Sequence, residues 1–132
     1  MNGKEIFNTT IAFIGGFLTF IFGGWDICLR VLVLFIFLDY VTGLGGAFMQ
    51  KNVSSDVGRR GILKKATILV VLIVAVLLDR LINNGTWVFR TLVCYFYIAN
   101  EGISLLENAV KIGVPIPKKL IDTLQQLKSK EE

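Results

Sequence analysis

The residues able to do chemistry are few, and they sit where charge is costly. Asp39 lies in the middle of an apolar run from Ile27 to Met49. Asn100, Glu101, Ser104, Glu107 and Asn108 interrupt a second run, from Trp87 to Val110. Asn100, Ser104 and Glu107 align at i, i+4 and i+7, with Glu101 and Asn108 beside them, so a helix would carry them as one polar stripe. Polar and ionised groups at membrane depth are expensive unless they face protein or water, or are protonated. The stripe therefore predicts either contacts that hold the chain together or the lining of an aqueous lumen. Asp39 shares its helix face with Gly43, Gly46 and Ala47, and small residues at this spacing let helices approach closely. That face is a candidate packing surface, within one chain or between copies.

Covalent and metal chemistry find little support. The chain has no histidine, which removes the commonest general base and metal ligand. Cys28 and Cys94 both fall in apolar stretches and read as small hydrophobic residues. Thr42-Gly43-Leu44-Gly45-Gly46 follows no strand and lacks the lysine of a phosphate-binding loop. The expectation is a protein that is not an enzyme, with no cofactor, no metal site and no catalytic residue.

Four apolar segments must carry these residues. Hydrophobic residues make up 54 % of the 132, gathered into blocks at about 6–25, 27–49, 66–82 and 87–110. Crossing the hydrocarbon takes roughly 17–25 helical residues, and backbone groups in lipid must bond within the segment, so each block is predicted to be a helix. The first, with Asn8, Thr9, Thr10 and four glycines, is the weakest span. The fold class is thus all-α integral membrane, with three or four transmembrane helices plus a short C-terminal amphipathic helix. Residues 1–114 form the transmembrane domain and 115–132 a cytoplasmic amphipathic, charged tail. Pro115 and Pro117 separate the two. In the tail, Leu120, Ile121, Leu124 and Leu127 recur at helical spacing, which suits a helix lying on the inner membrane surface.

Charge sets the orientation. Lys51, Arg59, Arg60, Lys64 and Lys65 gather in the stretch 51–65, read as a loop, and Lys111, Lys118, Lys119, Lys128 and Lys130 follow the last block. The positive-inside rule makes both cytoplasmic. The short 83–86 connection, without charge, faces outward. Asp26 and Arg30, spaced i and i+4, and Asp79, Arg80 and Arg90 around the short connection read as interface anchors or ion pairs. The basic stretch lacks interleaved aromatics, so nucleic acid is not an expected partner.

Taken in order, Asp39-Tyr40-Val41-Thr42-Gly43, Ser54-Ser55, Gly61-Ile62-Leu63-Lys64-Lys65, Asp79, Asn100-Glu101-Gly102-Ile103-Ser104-Leu105-Leu106-Glu107-Asn108 and Val114-Pro115-Ile116-Pro117-Lys118-Lys119-Leu120 resemble the toxin secretion/phage lysis holin family of Gram-positive phages and clostridial toxin loci. The resemblance covers the chain from about Trp25 to Leu127. It implies a multi-pass protein of the bacterial cytoplasmic membrane with its C-terminus inside. Such a protein would assemble with copies of itself into large lesions that release an endolysin for timed host lysis. Its partners would be itself, membrane lipid, and an endolysin or toxin as passing cargo. A toxin-export holin, an antiholin and a small ion-conducting channel subunit fit the same residues.

Overall fold

A computed structural model describes residues 1–51 and 54–131; of residues 129–131 it describes the backbone only, so the side chain of Lys130 lies outside the described residues. Among the described residues five helices follow in order: α1 (Gly3–Phe22), α2 (Ile27–Met49), α3 (Ser55–Ile82), α4 (Phe89–Ile112) and α5 (Lys118–Glu131). The protein is all-α, and three of its helices, α1, α2 and α3, are long and apolar enough to cross a membrane. The first block, expected to be the weakest span, is among them. Its Thr10 and Thr19 hydroxyls each donate to the carbonyl one turn back, at 2.8 Å, so those polar groups are satisfied inside the helix. α4 is as long as α2, but Arg90, Asn100, Glu101 and Glu107 dilute its apolar character.

Local chemistry sets the helix ends. Asn2 and Glu5 form a reciprocal capping box at the start of α1. Gly23, with φ +83°, ends α1 in the left-handed region, and the Asp26 side chain caps α2 by accepting from Leu29 N–H at 3.1 Å. Gly113, φ +108°, ends α4 before the two prolines. α3 begins eleven residues earlier than the apolar block, because Ser54 caps it by accepting from Val57 N–H. The stretch read as a loop to residue 65 is therefore mostly helix, and Arg59, Arg60, Lys64 and Lys65 ride on its first turns.

Side-chain contacts fix the directions. Asp26 meets Arg90 and Asp39 meets Asn108, so α2 and α4 run parallel; this pair packs most extensively. Lys65 meets Asp39, while Asp79 near the other end of α3 meets Arg90, so α3 runs antiparallel to both. The chain thus goes up, down, up and down, with the turns at 23–26 and 83–88 at one end and the connections after Met49 and Ile112 at the other. The basic residues of α3's start and of the tail share this second end. Leu29, Leu32, Leu72, Cys94 and Ile98 form the core cluster between α2, α3 and α4.

α1 has no buried residue. Two arginines from other helices hold its C-terminus: Arg80 donates to Phe20 O at 2.9 Å and stacks on the Phe20 ring, and Arg90 donates to Phe22 O at 2.7 Å. α5 departs from the sequence expectation. Instead of lying on the inner membrane surface it folds back along α4, with Leu124 against Gly102.

Candidate functional site

Halfway along the bundle, three charged side chains from three helices meet. Lys65 of α3 reaches inward and pairs with Asp39 of α2 and, at 2.6 Å, with Glu101 of α4. Asp39 and Glu101 are buried, and the Lys65 side chain is 17 % exposed. Asn108, about one turn beyond Ser104, donates to Asp39 Oδ1 at 2.9 Å, Asp39 O at 3.1 Å and Thr42 Oγ1 at 3.1 Å. Two carboxylates share one ammonium, which leaves a formal charge of −1 inside the bundle. A buried carboxylate is tolerable only when paired and hydrogen-bonded, and the arrangement meets both conditions.

The backbone makes room for this convergence. Tyr40, next to Asp39, lies against α3 where Gly58 and Gly61 carry no side chain; a Cβ on Gly61 would stand 3.2 Å from the Tyr40 ring. The Tyr40 hydroxyl donates to Gly58 O at 3.3 Å. That contact sets the register of α3 so that Lys65, one turn beyond Gly61, points at Asp39. Lys64, rotated by about 100°, stays exposed. A cleft of about 650 Å³ opens beside the cluster between α3 and α4. Asn100, Ser104, Tyr97, Arg60 and Lys64 line it together with the triad.

The stripe on α4 is therefore split. Glu101 and Asn108 turn into the bundle, and Asn100 and Ser104 border the cleft. Glu107 is exposed and lines a separate cavity facing α5. On α2, Gly46 is buried and Gly43 faces Asn108, whose amide would be 3.5 Å from a Cβ there. The Asp39 face is thus occupied by α4 of the same chain, with Ala47 partly buried further along. Lys51, Arg59, Lys118 and Lys119 stay exposed at the end of the bundle.

Sequence reasoning placed Lys65 among the topology determinants and missed it as the counter-ion. The signal was present: two acids inside apolar runs need a cation, and Lys65 is the base nearest the apolar part of α3. It also missed the partners at the other end. Asp26 pairs with Arg90 at 2.9 Å rather than with Arg30, because parallel packing of α2 and α4 brings their first turns together. Asp79 makes no ion pair with Arg80. It accepts from Phe89 N–H, Arg90 N–H and the Asn83 amide, capping α4, whose own N-cap Val88 has no capping side chain.

Arg90 and the two hydrogen bonds it forms with the Asp26 carboxylate hold that group below its ordinary range, against the opposing effect of burial. Cys28 and Cys94 are free thiols. Among the described residues no group of three or more histidine, cysteine, aspartate or glutamate side chains is placed to hold a metal ion. The site can bind charge, hold helices in register and admit water.

Comparison with known proteins agrees with this picture. The profile of the bacteriophage holin family matches residues 16–129. An uncharacterised 14.9 kDa protein from the nagH 3′ region of Clostridium perfringens is 58 % identical over 121 residues, covering 92 % of each chain. The uncharacterised protein YqxH of Bacillus subtilis is 37 % identical, covering 86 % of this chain and 79 % of its own. A protein of Bacillus phage phi105, named a probable holin, is 36 % identical over 102 residues, covering 76 % of this chain and 74 % of its own. No solved structure matches. Three of the stretches that carried the resemblance, 39–43, 61–65 and 100–108, contribute Asp39, Lys65, Glu101 and Asn108 to this cluster. The chain belongs to the bacteriophage holin family, a family of membrane proteins and not of enzymes.

Proposed function

From membership of that family we propose that this protein is a holin: it accumulates in the bacterial cytoplasmic membrane, associates with copies of itself, and opens lesions through which an endolysin reaches the cell wall. The observation that carries the reading is the Asp39–Lys65–Glu101 triad inside a bundle whose α1, α2 and α3 expose many large apolar side chains. Helices in lipid gain no hydrophobic drive to associate, so packing and polar contacts must hold an assembly. A triad closed within one chain keeps the dispersed protein harmless to the bilayer. Exchange of its partners between chains would stabilise an assembly with the same chemistry, giving two states of similar energy.

The basic residues at the second end of the bundle, Lys51, Arg59, Arg60, Lys111, Lys118 and Lys119, support a cytoplasmic position for that end and for the C-terminus. The turns at 23–26 and 83–88 then face outward.

Inducing the chain together with a cytoplasmic endolysin tests the reading. Growth should continue, stop abruptly and give way to lysis, with endolysin activity appearing outside the cells. Endolysin retained inside cells that accumulate the chain in their membrane rejects it. Release of ions alone under those conditions points to a narrow channel.

A further inference from the structure

The position of α5 conflicts with a lipid surround. Its apolar residues Ile121, Leu124 and Leu127 are partly buried, and the Leu124 methyls stand 3.0 and 3.1 Å from where a Cβ on Gly102 would be. Gly102 lies twelve residues beyond Arg90, about 18 Å along the helix axis. A hydrocarbon core of about 30 Å that starts at the Asp26–Arg90 pair therefore places Gly102 just past the middle. α5 carries Lys118, Lys119, Asp122 and Gln126 exposed on its outer side. A charged side chain facing lipid near that depth is costly, and α5 presents several polar ones along one face. The cavity of about 360 Å³ between α4 and α5 is walled by Ile103, Leu106, Val110 and Ile121, with Glu107, Lys111 and Gln125 also lining it, so the seam between them is apolar in part. Apart from the exposed Leu120, the described outer side of α5 is polar, while Ile121, Leu124 and Leu127 are partly buried.

We propose that α5 is the water-facing wall of the assembled lesion, docked on α4 where that side of the chain faces the aqueous interior and undocked to the inner membrane surface where it faces lipid. The inference rests on the holin reading and names the surface that lines the passage. The Gly113–Pro117 connection supplies the joint: Gly113 has φ +108°, and the five residues lie outside both helices. Docking brings a polar face to mid-depth without placing any new charge on α4. It also leaves the triad closed on the opposite side of α4, so the lumen need not be built from Glu101.

The test follows α5 through triggering. Cysteines are placed at Leu106 and Ile121, which line one cavity, in a chain carrying Cys28→Ala and Cys94→Ala. Cells expressing it are sampled with a membrane-permeant bismaleimide before and after lysis begins. The yield of the intrachain cross-link should rise at least threefold at triggering. A yield that stays level or falls overturns the inference, because α5 then does not enter the bundle when lesions form. Leu124→Gln in the otherwise unaltered chain decides the matter if the cysteine background does not accumulate. It should lengthen the delay before lysis at least twofold at unchanged membrane levels, and lysis on the normal schedule overturns the inference. If the unaltered chain never triggers, the holin reading fails and takes this inference with it. Triggering without the rise sinks the inference alone.

Discussion

Asp79 of α3 accepts the backbone N–H of Arg90 at 2.8 Å and so serves as the N-terminal cap of a helix to which it does not belong. Val88, at the N-cap position of α4, offers no side-chain oxygen, and the first N–H groups of a helix have no partner within it. Asp79 is fully buried and also accepts from Phe89 N–H and the Asn83 amide, both at 2.9 Å. Replacing Asp79 by alanine leaves three donors without this acceptor, the buried Arg90 N–H and the part-buried Phe89 N–H and Asn83 amide. Each unsatisfied group costs about 1–3 kcal/mol, so Asp79→Ala should lower the thermal midpoint in detergent by several degrees. Asp79→Asn, which keeps one acceptor oxygen, should lose less. Equal midpoints for the three proteins by circular dichroism would show that water replaces the carboxylate.

Acid should loosen the same end of the bundle. Asp26 is held below its ordinary range of 3.8, first by its hydrogen bonds to Arg90. A carboxylate depressed in the folded state contributes stability that is fully present above pH 4 and is lost as pH falls through its lowered value. Half of the Asp26 side chain is exposed, so solvent screens the pair and the effect is small. Asp26→Asn should therefore be less stable than the unaltered protein at pH 7 and should approach it as pH falls through the lowered value of Asp26. Equal stability of the two proteins at pH 7 contradicts the pairing with Arg90.

The sequence made the spans legible because lipid imposes a length and a composition. The Ile27–Met49 block coincides with α2, and the Trp87–Val110 block lies within two residues of α4 at each end. It did not make the start of α3 legible. Arg59, Arg60, Lys64 and Lys65 look like a loop by charge, and only the Ser54 cap marks the helix that carries them. The site was half legible. Asp39 and Glu101 announce themselves as acids in apolar runs, but their shared lysine depends on the rotation of α3, which Tyr40 sets by packing on Gly58 and Gly61. The Arg90 contacts to Phe22 O and Asp26 join residues more than 60 positions apart, and no local pattern encodes them. The tail's helix was readable from its periodicity, whereas its docking on Gly102 was not.

Gly102 is a close-approach glycine. A Cβ there would meet Leu124 at 3.0 Å and Phe35 of α2 at 3.1 Å, tighter than ordinary packing allows. Gly102→Ala should push α5 off α4, at a cost of about 1–3 kcal/mol if the seam cannot adjust. Limited trypsin digestion of the detergent-solubilised protein should then cut after Lys119 and Lys128 several times faster, while cleavage at Arg59 and Arg60 keeps its rate. Unchanged cleavage within α5 would mean that Leu124 rotates away without undocking the helix. Gly43→Ala is the control, since a Cβ there meets only Asn108 at 3.5 Å.

The three members of the triad should not be equivalent. Lys65 compensates both Asp39 and Glu101, so Lys65→Met leaves two buried carboxylates side by side with no cation. Breaking a buried pair by removing one partner costs about 3–5 kcal/mol, and here one substitution strands two charges. Glu101→Gln removes one carboxylate and leaves Lys65 paired with Asp39 in a neutral couple, so it should be mild. Asp39→Asn leaves a neutral couple as well, but it also weakens the acceptor for Asn108 Nδ2 at 2.9 Å, so it should fall between the two. The predicted order of membrane accumulation and of thermal midpoint in detergent is unaltered, Glu101→Gln, Asp39→Asn, Lys65→Met. Combining Lys65→Met with Asp39→Asn and Glu101→Gln removes every stranded charge, and the triple variant should recover much of the loss. Recovery distinguishes charge imbalance from lost packing of the lysine stem, because the stem is missing in both proteins. If the triple variant is no more stable than Lys65→Met alone, the triad is held by shape and the excess negative charge has no energetic consequence.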